Sequence, residues 1–294
     1  MTKQGAAAWV LAGPALLVIA LFFALPVVAG LALSLTDFDL YALADLSTVR
    51  FVGLQNYARL LQTALFWQAL GNTLYFVVVG VPVSLALSLL AALLLQSRFA
   101  RWQPFFRTAL FAPVVTTVVA VAVIWRYLLH TRYGLVNQAL ADIGIAPLDW
   151  LGDPHWSMPA IILFAAWKNF GYNMIILLAA LQAVPRELYE AARMDGAGPL
   201  RRFFDVTMPM LVPTFVLVGV LTVSGYFQLF AEPYVMTQGG PLRSTFSMLY
   251  FMYEEGFRWW NLGNASAIAF LLFLVIFGAS WLMLRFDHDA PGRR

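Results

Sequence analysis

Charged residues are missing from long, separate stretches of this chain, and that pattern restricts its fold more than any motif does. No Asp, Glu, Lys or Arg occurs over residues 4–36, 60–97, 108–125, 206–231 or 259–284, and a sixth stretch, 154–185, is interrupted only by Lys168. A helix needs about 20 mostly apolar residues to cross the hydrocarbon of a bilayer. The windows predict six transmembrane helices, at about 9–35, 71–96, 106–129, 158–184, 210–235 and 264–285. The long second window yields one span because Gln62, Gln68 and Asn72 make its approach polar. With 62% hydrophobic and 11% charged residues in the chain, against about 25% charged in an ordinary soluble domain, a soluble globular fold is excluded. The expected class is all-α and polytopic: one membrane domain over 9–285, short tails at 1–8 and 286–294, and no soluble appendage.

Basic residues set the expected orientation. With the N-terminus inside, inner segments hold eleven Lys and Arg (Lys3; Arg98, Arg101, Arg107; Arg186, Arg193, Arg201, Arg202; Arg285, Arg293, Arg294). The outer loops hold five (Arg50, Arg59, Arg132, Arg243, Arg258). Excess positive charge marks the cytoplasmic side, so both termini are expected there. The same rule explains the net charge of +3 without nucleic acid. The first apolar run follows Lys3 as in a signal peptide, but it is too long and lacks a prompt small-residue cleavage site. It is expected to stay as an anchor. There is no cysteine, so disulfides and thiolate ligands are absent, and His130, His155 and His288 form no metal-spacing motif.

The inner loop 185–209 carries the most information. Pro185 suits a helix start, and Glu187 and Glu190 place negative charge in its first turns. Gly196 and Gly198 permit a sharp turn. Pro199 opens a second helix with Leu200, Phe203 and Phe204 on one face. The result is a capped knob with small Ala191 and Ala192 on its surface. By itself, such a knob is either a docking element or an ordinary loop packed on the span ends.

Glu190-Ala191-Ala192, three residues, Gly196, nine residues, then Val206-Thr207-Met208-Pro209 resembles the EAA loop of permease subunits of binding-protein-dependent ABC importers. Every spacing matches; Val206 and Met208 replace the family's Ile and Leu. The resemblance implies a coupling helix docked into a separate ATPase, with Glu190, Ala191, Ala192, Asp195 and Gly196 at its core. It extends to Phe51-Val52-Gly53-Leu54-Gln55-Asn56-Tyr57, to 178–189 and to Thr237-Gln238-Gly239-Gly240-Pro241, which are similar to segments of carbohydrate permeases of the maltose and glycerol-phosphate type. The implied partners are a second permease, two ATP-binding subunits that use ATP and Mg, and an extracytoplasmic solute-binding protein.

Polar groups inside a span usually face the bundle interior. In the fourth span Asn169 and Tyr172 share a face, as do Thr222 and Tyr226 in the fifth. At 1.5 Å per residue, Tyr172 and Thr222 lie roughly 18 Å from the inner boundary, and Asn169 and Tyr226 roughly 22–24 Å. Two polar-aromatic faces at one depth can form a sugar site; interhelical hydrogen bonding is the plainer alternative. Lys168 and Glu232 either reach the outer interface or pair to shape an outer vestibule. A phosphate-bearing solute calls for basic residues, and only Lys168 is at hand, which favours a neutral di- or oligosaccharide over glycerol phosphate. Lys3 and Lys168 are the only lysines and neither lies in a phosphate-binding loop, so the chain is expected to be no enzyme. An ion-coupled secondary transporter typically buries several acids. Here only Glu232 qualifies, and the loop 185–209 would go unexplained. A non-transporting subunit would not need polar faces in two spans.

Overall fold

The computed structural model describes residues 3–96 and 102–288. Residues 1–2, 97–101 and 289–294 lie outside the described residues, as do the side chains of 3–10, Leu43 and 286–288. Parts of both expected tails and Arg98, Arg101, Arg293 and Arg294 of the charge count therefore go undescribed.

In chain order the helices are α1 (Leu11–Ser34), α2 (Gln55–Gln62), α3 (Ala64–Gln96), α4 (Gln103–Val115), α5 (Val118–Leu128), α6 (Leu135–Asp142), α7 (Pro154–Ala183), α8 (Arg186–Met194), α9 (Pro199–Phe227), α10 (Ala231–Met236), α11 (Met248–Tyr253) and α12 (Leu262–Arg285). Five of them, α1, α3, α7, α9 and α12, are long and apolar enough to cross a bilayer. The expected third helix, over about 106–129, is two helices, α4 and α5, bent by 99°. A sixth span exists only if that pair counts as one. The cause is local. Pro113 has no N–H to continue the ladder, and Thr116 and Thr117 take extended backbone angles. Apolar composition alone does not register such a break.

The chain divides into two compact units, Met1–Phe66 with Phe251–Phe273, and Trp67–Tyr250 with Leu274–Arg294. In the first, buried Asn56 closes the end of α1. Its Nδ2 donates to the carbonyls of Ser34 (2.9 Å) and Thr36 (2.8 Å), which a helix end leaves unpaired. Asp37 accepts from the Arg50 backbone N–H at 2.7 Å and from its guanidinium at 3.1 Å. The backbone bond first, then the cation, holds its carboxyl below the usual carboxylate range.

In the second unit, α7 is central, with buried residues along its whole length. Ala91, Ala92 and Leu95 of α3, Met174, Leu177, Leu178 and Leu181 of α7, and Leu211 and Val218 of α9 form one apolar cluster. Polar groups stitch the same helices. Ser88 Oγ donates to the Phe170 carbonyl at 2.9 Å, and Gln96 Nε2 to that of Leu181 at 3.2 Å. Ahead of α7, Asn137 organises the loop after α6. Its Nδ2 donates to the carbonyls of Thr131 and Leu148, and its Oδ1 accepts from Leu148 N–H and Trp150 Nε1. Asn137→Ala strands several of these partly buried groups and is expected to cost about 1–3 kcal/mol. Thermal unfolding in detergent checks this; an unchanged midpoint would mean water replaces all four bonds.

Candidate solute pathway and coupling loop

The segment joining α7 to α9 holds one short helix, α8, and a glycine turn; the expected second short helix is instead the first turn of the long α9. Pro185 precedes α8, and Glu187 sits in its first turn. At the far end Gly196 has φ +77°, a conformation that L side chains rarely adopt. Gly196 N–H reaches the Arg193 carbonyl at 3.0 Å and Ala197 N–H the Ala192 carbonyl at 2.9 Å. That pair is the Schellman closure of a helix end. Pro199 then starts α9 at its first turn. Glu190, Ala191, Asp195 and Gly196 are exposed and Ala192 partly so. Around them stand Leu188, Met194 (88% exposed), Leu200 and Phe204, an unusually apolar surface for a loop. The knob is not loose. Tyr189 Oη and Thr207 Oγ1 bond at 2.9 Å, and Arg201 pairs with Asp205 at 3.1 Å.

Farther along the same two long helices lies a cavity of about 340 Å³. Five of the six residues expected to face a solute line it: Asn169, Tyr172, Thr222, Tyr226 and Glu232. Asn173, Phe76 and Gln228 line it as well and were not singled out from sequence. Asn173 was within reach of that reasoning, because it lies one turn beyond Asn169. Phe76 belongs to α3 and carries no polar signal.

The lining groups divide by what they already bind. Thr222 is tied up, since Asn173 Nδ2 donates to its Oγ1 at 2.8 Å while that hydroxyl donates to the Val218 carbonyl at 2.6 Å. These two residues join α7 to α9, the plainer reading of polar groups in a span. Tyr226 differs. Its ring packs on Phe76 with centroids 4.9 Å apart. It also lies against Gly80, where a Cβ would come 2.9 Å from Cε2 of the ring. Its hydroxyl and that of Ser84 are both buried without a hydrogen bond, and Ser84 and Asn169 are its polar neighbours. Tyr172 is 50% exposed.

Lys168 does not line the cavity. Its Nζ donates to the carbonyls of Thr116 (2.9 Å), Pro113 (3.1 Å) and Val114 (3.5 Å), at the bend between α4 and α5. Among the described residues no ion pair joins it to Glu232. The lysine's donors go to the break in the third apolar segment and not to the acid.

The sequence profile of the family described as the binding-protein-dependent transport system inner membrane component matches residues 84–290. The chain belongs to this family. The permease is 34% identical to the probable ABC transporter permease protein YurN of Bacillus subtilis, over 92% of each chain. It is 36% identical to the lactose transport system permease protein LacF of Rhizobium radiobacter, over 93% of this chain and 91% of LacF. Its fold matches a chain of a bacterial ABC transporter involved in import of the acidic polysaccharide alginate. That match has a TM-score of 0.81, 21% identity, and covers 98% of this chain and 97% of the other.

Proposed function

We propose that this permease carries a sugar, most simply a neutral di- or oligosaccharide, through the cavity between α7 and α9, driven by ATP hydrolysis in a separate subunit docked on α8. A second permease, two ATP-binding subunits and an extracytoplasmic solute-binding protein complete the importer, and both termini face the cytoplasm. The carrying observation is that the two helices supplying most of the cavity lining, α7 and α9, are the two that the exposed knob connects. A partner pressing on Glu190, Ala191, Ala192, Asp195 and Gly196 therefore acts directly on the cavity walls. The exposed apolar side chains around α8 supply the contact area such a partner would cover. Asn169, Tyr172, Tyr226 and Glu232 offer hydrogen-bonding groups, and the rings can stack on the apolar face of a pyranose. LacF, similar over nearly its whole length, is named for a disaccharide, which supports the same class.

Two experiments test this. The tagged chain, purified from its native membrane, is expected to bring down an ATPase and a second permease. A chain that purifies alone and supports uptake driven by an ion gradient would overturn the reading. Asn169→Leu is expected to lower uptake of the sugar found on the associated binding protein at least tenfold, with the complex still assembled. Undiminished uptake would remove Asn169 from the pathway.

A further inference from the structure

The bend between α4 and α5 leaves the Val114 and Thr116 carbonyls without a main-chain donor, while the Pro113 carbonyl keeps the Thr116 N–H at 3.3 Å; in hydrocarbon an unsatisfied carbonyl costs several kcal/mol. What satisfies them is a side chain from another helix. Lys168 of α7 is 8% exposed and delivers its ammonium to the carbonyls of Pro113, Val114 and Thr116. An ammonium has three donors and no acceptor, so the carbonyl-only cluster suits it. Thr116 adds a bond from its own Oγ1 to the Pro113 carbonyl at 2.6 Å.

Two neighbours tie this junction to the cavity. Val114, one of the three capped residues, is itself a lining residue. Asn169, adjacent to Lys168 in sequence, lines it too. One turn along α7, Gly171 is so close to α4 that a Cβ would lie 2.5 Å from the Leu110 carbonyl oxygen. The lysine and the glycine thus bring α4 against α7 on the side of the helix next to the solute face.

We propose that Lys168 is a positioning residue of the transport pathway: by capping the end of α4 it fixes Val114 as one wall of the solute cavity. The inference rests on reading that cavity as the pathway. It assigns Lys168 a task apart from the solute, since its donors are spent on the main chain. An uncharged, non-donating side chain of similar length would release the carbonyls, and α4 would shift away from α7, opening the wall at Val114.

The chain has no cysteine, so Val114→Cys puts a single thiol in it. In the complete importer, held in native membranes, the rate at which N-ethylmaleimide modifies this thiol is measured by mass spectrometry of the permease. With Lys168→Met added, the rate is expected to rise at least tenfold. With Lys168→Arg, which keeps a donor-rich cation, it should stay within about threefold of the parent. In the Val114 background, Lys168→Met should also lose most binding-protein-stimulated ATP hydrolysis or uncouple it. If Lys168→Met does not accumulate, Lys168→Gln, which keeps an N–H donor without charge, takes its place, and an intermediate rise is expected. An unchanged modification rate in the methionine or glutamine variant overturns the inference, whatever happens to activity. So does an increased rate with fully coupled activity, because the wall would then not matter. Failure of the pathway reading has a different signature: Asn169→Leu transports normally while modification at position 114 still responds to Lys168.

Discussion

Uptake is expected to fall at least a hundredfold in Glu190→Lys, with the chain still inserted and in normal amount. Glu190 is exposed on α8 and none of the packing that holds α7 to α9 depends on it, so the fold has no reason to fail. On the proposed docking, the substitution would place a cation where the partner's groove receives an acid, and a like-charge or unpaired contact at an interface costs several kcal/mol. Gly196→Arg should reach the same phenotype by another route. At φ +77° a residue with a Cβ is strained by about 1–2 kcal/mol, and the turn that sets α8 against α9 relaxes. The measurement pairs uptake with co-purification of the ATPase. Glu190→Lys is expected to lose both, while an importer that keeps wild-type uptake in both variants would end the assignment of this loop as the coupling element.

The second large effect is structural. Gly171→Val should sharply destabilise the permease, because the added carbon atoms meet main chain. Its Cβ position lies 2.5 Å from the Leu110 carbonyl oxygen, 3.1 Å from Phe111 Cα and 3.2 Å from Val114 Cγ2. Only the last of these can turn aside. Overpacking of this kind costs about 1–3 kcal/mol, occasionally more. Here it also parts Lys168 from the carbonyls it caps. Ala179→Val, on the exposed side of the same helix, is the control. Size-exclusion chromatography of heated detergent extracts should show an earlier loss of the Gly171→Val chain. Equal melting of the two variants would mean that α4 and α7 can separate freely.

What the sequence made visible follows from what it encodes locally. Loss of charge over 20 or more residues is a direct statement about bilayer depth, so the long apolar helices were readable from composition. The turn at Gly196 was readable because its function is written in one residue type. The bend at 115–117 was not, since Pro113, Thr116 and Thr117 are all acceptable inside a span and the window 108–125 looks uniform. The lone Lys168 was the available hint. A cation in an apolar window needs acceptors, but sequence offers Glu232 as the obvious partner and is silent about free carbonyls. In the cavity, Asn169, Tyr172, Thr222 and Tyr226 were found by polarity on a helical face. That criterion cannot tell Thr222, engaged with Asn173, from Tyr226, whose hydroxyl has no bond. It also cannot see Gly80, whose missing side chain leaves room for the Tyr226 ring.

The length of α9 has a mechanical meaning. It starts at Pro199 in the exposed knob and passes Thr222 and Tyr226 before ending at Phe227. From Pro199 to Thr222 is about 35 Å at 1.5 Å per residue. Tyr189 and Thr207, bonded at 2.9 Å, clamp α8 to the foot of this rod, so the two move together. On an arm of that length, a rotation of roughly ten degrees at the foot sweeps the far end through about 6 Å, close to the width of a pyranose ring. On the proposed coupling, a small nudge by the partner at the knob would thereby be geared up to the step needed to free a sugar from the cavity.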